Sequence, residues 1–487
     1  MTPEPEHRAT DGADVEVDLV VAGAGGGLAG ALRAAEAGLS VLVVDPDEQF
    51  LRGNNTSMST AMIPGAGSRW QREAGVEDSP ERFLADITAK THGTADLRLA
   101  EALASASAPL TEWLADSAGL PLQLVRDFSY PGHSADRLHT VEGRHGSALL
   151  RHLHERVSKS ADIDLLVPAR LVDVTTDAGV GVGVDGGVRG AVTGAVVEYP
   201  DGRREVIATR AVLLATNGYG ADRDLVGRHL PEIAGADYHG GQFSRGDGLR
   251  IGLRHGAHAA FMDSYQGHAA LARRSRTLVG WATVMHGAIL VDINGERFGD
   301  ETTGYSEYAA ALAARPQSRG WIVLDQRIDE LCSSFTDYRQ TAQAGAVLWA
   351  DDIAGLATRT GCDPATLEAS VAEQTAAATG AVERDRFSRS FFEAPLRAPF
   401  AAVEVVPALF HTQGGLGVDG DARVLGTGGN PVPGLFASGG AAHGISGHGA
   451  DGYLAGNGLL PALGLAWLAA NRAAADRAAR NRAGGTR

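Results

Sequence analysis

A chain of 487 residues, 44% hydrophobic and 21% charged, has the composition of a globular protein and the length for two or three domains, with room for one inserted in another. A formal charge of −16 excludes the cationic face that phosphate backbones require, so no nucleic-acid partner is expected. Cys332 and Cys362 are the only cysteines and form neither CxxC nor CxxCH, which excludes a zinc site, haem attachment and a disulfide framework and fits a reducing cytoplasm; no metal is expected. The opening MTPEPEHRATDGADVEVD is polar and acidic rather than signal-like, and no apolar run of about 18 residues occurs, so a cytoplasmic chain without a membrane segment is expected. The 64 glycines show no period and cluster between apolar runs, where backbone turns sharply or meets a ligand.

Residues 17–45, VDLVVAGAGGGLAGALRAAEAGLSVLVVD, predict a strand, a glycine turn at Gly23, Gly25, Gly26 and Gly27, an alanine-rich helix, and a second strand ending in Asp45. That is a dinucleotide-binding βαβ unit: backbone amides and a helix N-terminus face a pyrophosphate, and an acid about 20 residues on takes ribose hydroxyls. The register departs from the usual one, since counting from Gly23 puts Leu28 at the third glycine position and counting back from Asp45 puts Ala22 and Ala24 at the first two. The next stretch, FLRGNNTSMSTAMIPGAGSRWQ, offers Asn55, Thr56 and Ser59 either as contacts to a cofactor or as part of a solvated loop. Further on, GHSADRLHTVEGRHG (132–146) presents His133, Ser134, Arg137 and His139 as site candidates in a polar loop, and RAVLLATNGYGAD (210–222) predicts a buried strand ending at Thr216, Asn217 and Gly218. RAPFAAVEVVPALFHT predicts another strand, and a helix is predicted from near Gly458 in GNGLLPALGLAWLAANRAA.

Four segments in this order, GAGGG with its VLVVD strand, SRGDGLRIGLRHGA (244–257), GERFGDE (295–301) and HTQGGL with PGLFASGGAAHGISG, resemble the flavoprotein family of fumarate reductases, succinate dehydrogenases and 3-ketosteroid dehydrogenases. The resemblance implies an α/β fold: a Rossmann-type FAD-binding domain built from 1–270 and 401–487, with an inserted α+β capping domain at 271–400. It also implies FAD contacts at the glycine turn, Asp45, Asn55, Thr56, Ser59, Ala169, Thr216, Asn217, Gly218, Asp247, Gly439, Gly440, Leu459 and Leu460. Attachment should be non-covalent, because the segment that carries a flavin-linked histidine in covalent members reads Gly53-Asn54-Asn55-Thr56.

The two arginines by which fumarate reductases protonate and clamp a dicarboxylate fall, on the same resemblance, at Tyr305 in RFGDETTGYSEY and Tyr453 in GADGYLAGNGL. Tyrosine lacks the guanidinium fork that holds carboxylates. Ketosteroid dehydrogenases are similar in having both tyrosines, which implies that Tyr305 removes a proton beside a ketone and that Tyr453, with an amide near Gly456 or Gly458, polarises the ketone oxygen. Such a base requires its ordinary pKa of about 10 to be lowered. Tyr308, one turn on, is the alternative base if the register slips. His268 in YQGHAA and His411 in HTQGG resemble instead the carboxylate-contacting histidines of the reductases. A keto acid such as an oxo-cyclohexane carboxylate would use both sets, although either histidine could simply bond the flavin or the cap; the leading expectation is an FAD-dependent α,β-desaturase of a cyclic ketone, keto acid or 3-ketosteroid. The rival functions are a flavin ene-reductase of an unsaturated acid and a non-catalytic flavin-binding protein. With no second dinucleotide fingerprint and no haem motif, the external electron acceptor stays open.

Overall fold

The computed structural model describes residues 16–178 and 190–484; most of the opening acidic segment lies outside them. Strand β1 (Leu19–Ala22), helix α1 (Gly27–Glu36) and strand β2 (Val41–Val44) form the βαβ unit. Both strands are buried on both faces, as the unbroken LVVA and VLVV runs require of central parallel strands. β2 pairs in parallel with β3 (Ile163–Leu166), and β1 with β4 (Val212–Leu214). A second sheet contains β5 (Tyr265–Ala272), β6 (Ile289–Asp292), β7 (Gly320–Asp325) and the thirteen-residue β8 (Phe400–Thr412). The chain then returns to the first sheet as β9 (Pro431–Ala437), parallel to β4, so strands remote in sequence complete one doubly wound sheet.

Strand β8 is the centre of the second sheet. Its first half pairs antiparallel with β7, from Phe400–Asp325 to Val405–Gly320, and its second half with β5, where His411 faces Gln266 and Thr412 faces Tyr265. Two apolar cores correspond to the two sheets. One contains Val20, Leu28, Val43, Leu213, Leu435 and Leu460; the other contains Ile289, Leu312, Ile322, Tyr338 and Val403. The helix predicted from Gly458 begins with a π-helical turn at Leu460–Gly464, and the α-helix proper spans Leu465–Gly484. It packs against α1 so closely that a Cβ at Gly30 would lie 3.0 Å from the Ala466 carbonyl oxygen. Among the described residues no helix is long and apolar enough to cross a membrane.

The GERFGDE segment anchors the second core rather than facing a ligand. Glu301 lies 2.7 Å from Arg297 and 2.9 Å from Arg389, all three side chains fully buried. Neutralising one member of such a cluster leaves guanidinium charge uncompensated in a low-dielectric interior. Glu301→Gln is therefore expected to destabilise the protein by about 3–5 kcal/mol, read as a lower urea midpoint at unchanged m; a shift under about 1 kcal/mol would show that the ion cluster is dispensable.

Candidate active site

The C-terminal ends of the parallel strands open into one long crevice, where ligands of doubly wound sheets bind. At one end the glycine turn forms its wall. Gly23 has φ +113°, and a Cβ there would meet the Ala215 carbonyl oxygen at 2.3 Å; Gly26 would meet Ala462 at 2.9 Å. Gly25 and Gly26 sit at the N-terminus of α1 and line the crevice, and among the described residues nothing accepts from their amides. Asp45 ends β2 beside them, its Oδ2 accepting from the Ala24 amide at 2.7 Å and its carboxyl pushed up by burial. This is a cradle for a pyrophosphate and a ribose.

Most of the expected cofactor residues line this crevice, including Asn55, Thr56, Ser59, Thr216, Asn217, Asp247, Gly439, Gly440 and Leu459. Several have side chains already committed to the protein. Asn55 accepts from the Gly241 amide and donates to the Phe410 carbonyl, both at 2.8 Å, which ties its loop to β8. Asn217, at φ +63°, donates to Ser244 at 2.8 Å, and Asp247 is paired with Arg170 at 2.5 Å. Four expected residues do not line the crevice. Gly27 and Gly218 are packing glycines, whose added Cβ atoms would meet Val21 at 2.7 Å and Thr412 at 2.0 Å. Leu460 is core, and Ala169 is buried with its amide bonded to the Asp45 carbonyl at 2.8 Å.

Toward the second sheet the crevice narrows among aromatic rings. Tyr305 and Tyr453 meet edge to face with centroids 5.8 Å apart, and His268 stacks on Tyr305 at 4.7 Å and on Phe410 at 5.1 Å. His411 approaches Tyr453 at 5.8 Å. Gly458 fits between them only because it lacks a side chain: a Cβ there would lie 2.8 Å from His411 Nε2 and 3.4 Å from the Tyr453 hydroxyl. Gly456, at φ +92°, also lines the crevice and abuts Pro64. Tyr305 opens helix α2 (Tyr305–Ala313), and Lys90 holds the preceding turn by donating to the Thr303 carbonyl at 2.8 Å and to Glu307.

The histidines beside the two tyrosines are neutral. Burial lowers His268 to about 3 and His411 to about 4, so both are uncharged at neutral pH. Burial pushes Tyr305 well above the usual phenol range, and Tyr453, Tyr130 and Glu307 push it further. Burial raises Tyr453 as well, partly offset by the Gly458 amide and the Tyr305 hydroxyl beside its oxygen.

Tyr308 points away, packed against Trp281 and Phe298 outside the crevice. The polar stretch 132–146 reaches the crevice through Arg144 rather than through the four residues singled out in it. His133 Nε2 lies 3.1 Å from the Ala455 carbonyl, Ser134 bonds Asp86, Arg137 forms a buried fork with Asp78 at 3.0 Å, and His139 lies 2.8 Å from the Ser68 hydroxyl. Tyr130, Phe128, Trp281, Phe335 and Phe410 complete the walls without any motif to mark them; only proximity in the fold reveals them.

A glycine cradle for a dinucleotide that runs into an aromatic chamber is the arrangement of an FAD-dependent oxidoreductase. The chain belongs to the FAD binding domain family, whose model matches residues 18–459. It is 29% identical over 480 residues to an NADH:fumarate oxidoreductase of Klebsiella pneumoniae (strain 342), covering 96% of this chain but 48% of that protein, so it spans about half of that relative's length. It is 26% identical to a 4-oxocyclohexanecarboxylate 2-dehydrogenase of Sinomonas cyclohexanicum, with 87% of each chain covered. Among solved structures, the open conformation of a flavocytochrome c3 fumarate reductase matches with a TM-score of 0.76 at 27% identity, covering 94% of this chain and 78% of that one. A 3-ketosteroid delta1-dehydrogenase from Sterolibacterium denitrificans shares the fold at 22% identity, with a TM-score of 0.73 over 95% of this chain and all of that one.

Proposed function

We propose that the protein introduces a double bond α,β to the carbonyl of a cyclic ketone or cyclic keto acid, with residues 1–270 and 401–487 as the FAD-binding domain and 271–400 as its cap. The observation that carries this is the pairing of Tyr305 with Tyr453 among aromatic rings, at the two positions where the resemblance puts the arginines of a dicarboxylate reductase. Bound FAD supplies the acceptor for the hydrogen, with its electron pair, that leaves the β-carbon. The Tyr453 hydroxyl donates to the ketone oxygen, with the Gly458 amide and the Tyr305 hydroxyl beside its own oxygen. The ketone so polarised has acidic α-hydrogens, and the Tyr305 oxygen accepts the one that departs. Trp281, Phe410 and the two neutral histidines exclude water from the exchange. The extended match to a dehydrogenase whose name specifies 4-oxocyclohexanecarboxylate supports a cyclic keto acid as substrate.

A second reading runs the same exchange backwards, and one observation favours it: Tyr305 rests as a phenol, ready to protonate an α-carbon. The two directions differ in pH dependence. Desaturation needs the ionised base, whose fraction grows tenfold per pH unit below a pKa raised above about 10. Its rate is therefore expected to climb through pH 7–9 without a plateau, whereas reduction using the phenol as acid stays flat; a desaturation plateau below pH 8 would assign the proton to another group. The proposal as a whole is tested by anaerobic titration of the FAD-loaded protein with saturated cyclic ketones, keto acids and steroids. Bleaching of the oxidised flavin band by a ketone is the expected result. No bleaching by any ketone, together with reoxidation of the chemically reduced protein by an unsaturated acid, would establish the reductase instead.

A further inference from the structure

Beyond the tyrosines the crevice ends in a second polar feature. Arg144 and Arg170 are the only arginines lining it among the described residues, and Arg170 is taken up by Asp247. Arg144 Nη2 donates to Asp127 at 2.8 Å, while Nη1 is buried and has no hydrogen-bond partner among the described residues. The guanidinium lies 4.8 Å from the Phe335 ring centre and 5.8 Å from that of Phe128. Phe128 in turn contacts Tyr130 at 4.7 Å and Phe335 at 6.4 Å, so these rings and the arginine close one end of the chamber. Arg144 adopts φ +49°, a conformation that L side chains seldom hold, directly after Gly143. The turn is fixed to the cap, because Thr336 donates to the Gly143 carbonyl at 3.0 Å.

We propose that Arg144 is the anchor for a substrate carboxylate, which makes the substrate a cyclic keto acid held with its carbonyl at Tyr453 and its carboxylate at Arg144. The proposal rests on the ketone desaturation above for the carbonyl end; the carboxylate end stands on Arg144 itself. A buried guanidinium nitrogen without an acceptor is costly, and an anionic oxygen relieves that cost with a charge-assisted bond. The two histidines, lowered by burial, offer a carboxylate single neutral N–H donors rather than the charged fork of a guanidinium. Asp337, the other acid lining this end, has its own partner in His145 at 3.8 Å. The competing explanation is that Arg144 is only a strut between the loop and Phe335.

The two are separated with the FAD-loaded protein and cyclohexanecarboxylate, an acid with no ketone to desaturate, by following the perturbation of the flavin spectrum. Arg144→Gln is expected to weaken its binding about 30-fold and to raise KM for 4-oxocyclohexanecarboxylate with kcat kept within about threefold. The response to cyclohexanone, which has no carboxylate, should not change. Arg144→Lys keeps the charge but not the fork; it should bind the acid with intermediate strength and serves as the comparison if Arg144→Gln loses FAD. Equal binding of cyclohexanecarboxylate by the original protein and the glutamine variant, no binding by either, or a parallel loss of the cyclohexanone response would overturn the proposal. If acid binding falls as expected while no ketone bleaches the flavin, the anchor stands and the desaturase reading fails.

Discussion

Tyr305→Phe is expected to keep its FAD and to lose between about 10²- and 10⁴-fold in the rate at which a ketone bleaches the flavin. Deleting the hydroxyl leaves the ring, and the ring makes the packing: His268 at 4.7 Å, Tyr453 at 5.8 Å and Trp281 at 6.3 Å. The glycine cradle lies at the other end of the crevice, so the yellow colour and the unfolding midpoint should be unaffected. The measurement is anaerobic stopped-flow reduction of the bound flavin at saturating ketone. Tyr308→Phe is the control, because Tyr308 has its ring against Phe298 at 5.1 Å and lies outside the crevice. A Tyr305 variant within tenfold of the original rate would remove the phenol from the chemistry.

How much of this was legible in the sequence varies along the chain with the range of the contacts involved. The βαβ unit was, because its signals are local: two four-residue apolar strands, a glycine turn, an alanine-rich helix and Asp45 lie within thirty residues. The return of the chain to the first sheet at Pro431–Ala437, and the coming together of Tyr305 and Tyr453, were legible only through the family resemblance, since no local pattern encodes a contact between residues so far apart. Gly27 and Gly218, expected among the cofactor contacts, sit one position from the crevice wall, where an added Cβ would meet Val21 and Thr412. The resemblance also passed over Arg144, whose significance arises from rings at Phe128 and Phe335 and from an unpaired nitrogen, none of which leaves a mark in VEGRHG. The need for a lowered Tyr305 pKa was a chemical requirement, not a sequence signal, and the surrounding residues push the other way. In the proposed desaturation, ionisation of Tyr305 is coupled to the substrate, which makes the pH profile informative about direction.

Tyr453→Phe carries the second large effect, a fall in kcat of about 10²- to 10³-fold, the usual cost of removing a donor to a developing oxyanion. The ground-state ketone gains little from this donor, whereas the enolate that forms as the α-proton leaves depends on it, so kcat should fall while KM changes little. The Gly458 amide and the Tyr305 hydroxyl lie beside the Tyr453 oxygen and partly offset the rise that burial gives its pKa. Removing that oxygen frees the Gly458 amide, which lines the crevice and can donate to the substrate in its place. This residual donor sets a floor under the loss and makes the two tyrosines non-additive: the double phenylalanine variant should be only slightly slower than Tyr305→Phe alone. Multiplicative losses would mean that the hydroxyls act independently, with Tyr453 contacting a part of the substrate other than the carbonyl activated for Tyr305. A Tyr453→Phe variant that raised KM and spared kcat would make the residue a binding contact, leaving the polarisation of the ketone to Gly458 or Gly456.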